Sequence, residues 1–169
     1  QVIFGIGEDF LQRDGLTDVI QPWEDGLRSD PARGEFEWWY NDARFEDGST
    51  AVIVFFTKSL VNPRGAFKPG VLLTITTPSG EKYSESVTFS SANFKASRER
   101  CQVRIGENAH EGDLHAYTLH ARTESLGADL TLQGLIPPWR PGNGKNYYDP
   151  SLKSYFAWLP ALPFASVEG

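Results

Sequence analysis

From residue 35 onward, short runs in which apolar and polar side chains alternate are separated by clusters of Gly, Asp, Ser and Pro. Alternation with a period of two, punctuated by turn formers, predicts half-buried β-strands joined by tight turns. Residues 35–45 read as a strand with Phe36, Trp38 and Tyr40 on one face. Glu46-Asp47-Gly48-Ser49 reads as a hairpin turn, and residues 50–60 as a second, almost continuously apolar strand. Residues 71–77 and 81–90 form a second expected hairpin around Pro78-Ser79-Gly80, with Tyr83, Val87 and Phe89 set against Lys82, Ser84, Ser86 and Thr88. In residues 98–105, Arg98, Arg100, Gln102 and Arg104 alternate with Cys101, Val103 and Ile105, so the arginines are expected to form a solvated stripe. Residues 114–123 and 128–136 pair around Glu124-Ser125-Leu126-Gly127 as a third hairpin, with Leu130 and Leu132 pointing inward. No amphipathic helix is expected. Seven or eight strands at this spacing predict an all-β fold, an antiparallel lipocalin- or calycin-like barrel or a closed sandwich.

Residues 1–34 lack a sustained period and are broken by Asp14-Gly15, Asp25-Gly26, Asp30-Pro31 and Arg33-Gly34. They are expected to wrap the β domain of residues 35–160 as an irregular segment. The chain opens on Gln1 and contains no methionine, so position 1 is read as a processed end, compatible with a secreted or lumenal protein. Residues 161–169 read as the start of a connection to a second β domain, which makes the chain the first half of a two-domain protein. Residues 136–150 are rich in Pro and Gly yet carry Trp139, Tyr147 and Tyr148, more apolar area than a loop leaves in water. This loop must lie across something, and a barrel mouth is the expected place.

Composition narrows the chemistry. With 40% hydrophobic and 22% charged residues the chain is not disordered, and a formal charge of -6 argues against a nucleic-acid partner, which would need a basic stripe. No apolar run approaches the roughly 20 residues of a membrane-spanning helix. The single Cys101 forms no internal disulfide and no zinc site by itself. His115 and His120, five apart on an expected strand, lie on opposite faces, so no metal is expected with them or with His110. Neither a nucleophile elbow nor a phosphate-binding glycine loop occurs, and no cofactor is expected.

Aromatic residues, 13% of the chain, are the distinctive resource. Because neighbouring strand residues point to opposite faces, Trp39 is assigned to packing while Trp38 and Tyr40 are expected to line an interior cavity. Trp38, Tyr40, Trp139 and Tyr148 are therefore the candidate substrate-binding residues. Asp42 and Lys58 are the candidate catalytic groups. Glu37 is a further acid beside the Trp pair, and Tyr117 is a possible proton donor, as is the hydroxyl of Tyr148.

Glu37-Trp38-Trp39-Tyr40, followed by Glu46-Asp47-Gly48 and Ile53-Val54-Phe55-Phe56-Thr57, resembles the lipocalin-like family that contains the AttH proteins and the carotenoid 1,2-hydratases (hydroxyneurosporene synthases). The closing Tyr155-Phe156-Ala157-Trp158-Leu159-Pro160-Ala161-Leu162-Pro163 is similar to the join between that family's two halves, and the resemblance covers residues 35–169. It implies a pair of β domains with an apolar ligand site within or between them, of which this chain holds the first. Kievitone hydratase and fungal cyclases of the Diels–Alderase type are relatives within the resembled family. The implied activity is cofactor-independent cyclisation of an apolar polyene, terpenoid or polyketide intermediate, of Diels–Alder or hetero-Diels–Alder type, with or without loss of water. A hydratase acting on an alkene and a non-catalytic carrier of small apolar ligands are the alternatives.

Overall fold

The computed structural model describes residues 2–59 and 61–169, and among them antiparallel strands are the main regular structure. In chain order these are β1 (Ile3–Phe4), the helix α1 (Glu8–Arg13), β2 (Trp38–Arg44), β3 (Thr50–Phe56), β4 (Gly70–Thr76) and β5 (Lys82–Thr88). Then come β6 (Phe94–Ala96), β7 (Gln102–Ile105), β8 (Asn108–Gly112), β9 (Ala116–Arg122), β10 (Gly127–Gly134), β11 (Lys145–Tyr147), β12 (Tyr155–Ala157) and β13 (Ala165–Glu168).

Two sheets form a sandwich. One has the order β2-β3-β4-β5, the other β13-β10-β9-β8-β7-β6, and a small third sheet runs β1-β11-β12. The fold is all-β, and the barrel is not closed, because each large sheet keeps two edge strands. The three expected hairpins are present as β2–β3, β4–β5 and β9–β10. Gly48 and Gly80 sit in their turns at φ 88°, a conformation that costs other residues.

Three differences from the sequence pattern have physical causes. Strand β8 is invisible to it because Asn108, His110 and Gly112 occupy the buried positions and leave no apolar alternation to detect. Residues 98–101 bend instead of continuing β7, and the Arg98 guanidinium donates to the carbonyls of Leu27 and Ser29 rather than joining a solvated stripe. Helix α1 forms in a segment expected to be irregular. At six residues it is too short to persist alone, and it is held by Phe10 stacked on Tyr147 at 5.8 Å.

The core lies between the two large sheets. Trp39, Ile53, Phe55, Val71 and Leu73 from one face meet Val103, Ile105, Tyr117, Leu119, Leu130 and Leu132 from the other. One end of this sandwich is sealed by residues 25–29. Leu27 is buried there, its N–H donates to the Ser97 carbonyl at 2.8 Å, and the chain passes so close to Arg98 that a Cβ on Gly26 would lie 2.8 Å from that residue's backbone.

The aromatic loop of residues 136–150 does lie across something, but its cover is the N-terminal segment, not a barrel mouth. Asn143 N–H donates to the Gly5 carbonyl at 2.8 Å, and its side-chain amide to Asp14 at 2.7 Å. Lys145 Nζ lies 2.9 Å from the same Asp14 carboxylate. Arg140 Nε lies 2.9 Å from Glu24 Oε2, with both side chains only 5% exposed. No helix among the described residues is long and apolar enough to cross a membrane.

Candidate functional site

The outer face of the four-stranded sheet carries the first group of candidate residues. In β2 the odd positions Trp39, Asn41 and Ala43 turn toward the core, and the even positions Trp38, Tyr40, Asp42 and Arg44 turn out. The register sets Trp38 opposite Phe56, Tyr40 opposite Val54 and Asp42 opposite Val52, with Leu72 beyond Val54. Trp38 is 37% exposed and Tyr40 61%, and Phe36 extends the row with its ring 5.2 Å from that of Trp38. The result is an aromatic ridge beside an aliphatic strip.

Trp39 packs in the core as expected, but Trp38 and Tyr40 line no interior cavity. Strand β3 is apolar on both faces, Ile53 and Phe55 on one and Val54 and Phe56 on the other, so its pattern could not reveal which face turns inward.

One exposed charged group flanks the ridge. Asp42 lies at its far end, exposed. Desolvation, and then the Asp42 charge, hold the Tyr40 hydroxyl above the usual phenol range. At the other end Thr57 N–H donates to the Glu37 carbonyl at 3.0 Å, which continues the β2–β3 pairing by one residue before the chain bends at Lys58. Lys58 is 2% exposed. Asp42 is thus the exposed charge at this apolar face, able to orient a ligand with a polar end, while Lys58 is buried.

Trp139 and Tyr148 belong to a different surface. Trp139 packs edge-on against Trp158 with centroids 6.1 Å apart, and Tyr148 N–H pairs with the Ser154 carbonyl at 2.8 Å, next to the small sheet. They are 53% and 57% exposed, and among the described residues no ring contact joins them to Trp38 or Tyr40. The loop packs on the N-terminal segment, and its aromatics go with it.

A polar cluster inside the sealed end of the sandwich is one that the sequence pattern does not assemble. The Tyr117 hydroxyl donates to Asp25 Oδ2 at 2.5 Å. Cys101 Sγ lies 3.5 Å from His110 Nδ1. The imidazole stacks between Phe55 and Tyr117, with centroids at 5.6 and 5.4 Å, and its Nε2 has no protein partner. Nearby, Glu37 accepts from the backbone N–H groups of Arg28 at 2.9 Å and Ser29 at 2.8 Å.

Burial governs the protonation of this cluster. It pushes the Asp25 carboxyl up to about 7, against the lowering effect of the Tyr117 hydrogen bond. It pushes His110 down to about 4 and the Cys101 thiol up, so both are neutral near pH 7. Burial likewise raises Glu37. A carboxyl that keeps its proton near neutral pH beside aromatic rings is an acid of the kind enzymes use for proton donation.

Of the Asp25 cluster, the sequence singles out only Tyr117 as a donor. Asp25 reads as half of an Asp-Gly turn, and the one available signal is a polar residue, His110, at an inward position of a strand too polar to detect. No group of three His, Cys, Asp or Glu side chains among the described residues is arranged to hold a metal ion. No family model, no curated protein and no solved structure matches this chain.

Proposed function

We propose that this chain binds an apolar small molecule on the outer face of its four-stranded sheet and promotes cyclisation of a polyene-like natural-product intermediate there. The observation that carries the reading is the exposed ridge of Phe36, Trp38 and Tyr40 with Asp42 at its far end. Cycloaddition needs chiefly shape, a restricted conformation and one or two hydrogen bonds, which an aromatic wall with flanking polar groups supplies. The exposed Tyr40 hydroxyl donates to a carbonyl of the substrate, Asp42 orients its other polar end, and the buried Lys58 takes part only if ligand binding uncovers it. A second β domain, resting on the resemblance in residues 35–169, is the natural opposite wall. Trp139 and Tyr148 are a separate aromatic surface for the same class of ligand.

Asp25 favours a second reading. Hydration of an alkene, or its reverse, needs a general acid beside a cation-stabilising aromatic wall, and Asp25 next to Tyr117 and the His110 stack combines those elements. Incubation with a conjugated linear polyene carrying a terminal carbonyl, followed by mass and absorbance analysis, separates the readings. A cyclase returns an isomer of the same mass with shortened conjugation, a hydratase adds one water, and a carrier returns the polyene unchanged.

A further inference from the structure

The strap that seals one end of the sandwich is fastened by polar bonds to two side chains. The Glu37 carboxylate accepts from the backbone N–H groups of Arg28 at 2.9 Å and Ser29 at 2.8 Å. The Arg98 guanidinium donates to the carbonyls of Leu27 at 3.1 Å and Ser29 at 3.0 Å. Within residues 26–29 only Leu27 buries an apolar side chain. A segment with so little apolar contact belongs to the parts of a fold that open locally, ahead of the rest.

The flanks of the strap let it move alone. Before it, the one-turn helix Pro22–Asp25 is pinned by the buried Glu24–Arg140 pair and by Asp25 itself on Tyr117. After it, the one-turn helix Pro31–Arg33 ends on Gly34 at φ 100°. Gly26 and Gly34 thus stand on either side as hinges, and opening of residues 26–29 leaves Asp25 in place. Glu37 stays behind as well, because its N–H donates to Thr57 Oγ1 at 2.8 Å and its carbonyl accepts from Thr57 N–H at 3.0 Å.

Closure carries a cost. Ser29 Oγ and His110 Nε2 are both buried without a protein partner, which is unfavourable for any polar atom. Opening gives Ser29 to water, and an entering molecule with a hydroxyl gives His110 its missing partner.

We propose that residues 26–29 are a gate, latched by Glu37 and Arg98, that opens locally to admit a small hydroxyl-bearing molecule, water included, to Asp25, Tyr117 and His110. This rests on the reading of Asp25 as a proton donor, which needs a route to a carboxyl that is otherwise shut in.

The single cysteine reports on the opening. Cys101 is 1% exposed, and its Sγ lies 3.5 Å from His110 Nδ1. Reaction of the folded chain with methyl methanethiosulfonate at fixed pH, followed by intact mass, measures how often a small reagent enters. In the unaltered chain the rate should hardly change with urea below the unfolding transition, because a local opening exposes little surface. Glu37→Ala and Arg98→Met should each raise it at least tenfold, since each removes two charge-assisted hydrogen bonds. Leu73→Ala, which weakens the core without removing a strap bond, should leave the rate unchanged in the absence of urea. A rate that climbs with the full urea slope of unfolding from the first addition overturns the proposal. So does labelling that rises in Leu73→Ala as far as in the latch variants, or that keeps its original rate in a latch variant shown to be folded. The two readings fail separately: labelling by local opening with no water added to the polyene removes the proton-donor reading and leaves the gate.

Discussion

Asp25 and Tyr117, 92 residues apart in the chain, meet at 2.5 Å inside the sealed end of the sandwich, with the phenol donating to the carboxyl. This contact joins the N-terminal segment to β9, and it sits in the same cluster as His110. The two titratable groups are displaced in opposite directions, from 3.8 up to about 7 for Asp25 and from 6.5 down to about 4 for His110.

The signs of their linkage oppose each other. Asp25 favours the fold fully below its unfolded value, and this contribution is lost as the pH rises through about 7. His110 favours it above its unfolded value, and this is lost as the pH falls through about 4. Between pH 4 and 7 the contributions cancel in large part, because folding moves one proton from the imidazole to the carboxyl. Asp25→Asn should therefore make stability fall on acidification across this window, and His110→Gln should make it fall as the pH rises. Each change should amount to a few kcal/mol across the window, since a tenfold difference in proton affinity between folded and unfolded chain is worth ~1.4 kcal/mol. Urea midpoints at pH 4.5 and 6.5 for both variants check this, and parallel profiles would refute it.

Phe55 and Trp38 should separate packing from binding. Phe55 is fully buried, and Phe55→Ala should cost about 3–5 kcal/mol through the cavity it leaves. Trp38 stands on the outer face, so Trp38→Ala should leave the denaturation midpoint nearly unchanged while weakening an aromatic-wall ligand tenfold or more. Fluorescence titration with the polyene and chemical denaturation are the two measurements.

The Arg140–Glu24 pair should behave as an anchor. With both side chains 5% exposed, removal of one partner strands a buried charge, and Glu24→Ala should cost about 3–5 kcal/mol in the docking of the N-terminal segment. Limited proteolysis at Arg13 should accelerate in Glu24→Ala and be restored in part by a second change, Arg140→Met.

Glu85 should titrate far below an ordinary glutamate. Its three hydrogen bonds from Ser125 and Thr123 hold its carboxyl at about 2. This set of bonds therefore supports the fold above the ordinary glutamate range and is lost as the pH falls through about 2. Side-chain carboxyl NMR shifts should show this titration, and Ser125→Ala should move it up toward the ordinary value.

The hairpins are readable because their turns use residues with one conformational purpose and their strands alternate. What stays hidden depends on long-range geometry. Strand β3 shows two apolar faces, so the sequence can place Trp38, Tyr40 and Asp42 on one face without saying that it looks outward, or that Lys58 is buried. Asp25 sits in a turn that resembles several others, and only the closure of residues 25–29 onto Arg98 carries it to Tyr117. The pattern marks Trp139 and Tyr148 as rings needing a neighbour, but nothing local says that the neighbour of their loop is the chain's opening segment.

Pairing of Ile3 with Tyr147 also sets an order of events during synthesis. Ile3 and Phe4 have no strand partner until β11 has been made. At ~5–20 residues per second, that interval is about 7–30 s. The sandwich strands lie closer in sequence and can pair meanwhile. Ile3 and Phe4 are thus among the last of these residues to pair, whereas residues 25–29, whose partners Ser97, Arg98 and Tyr117 are made earlier, can close their end of the sandwich before β11 exists.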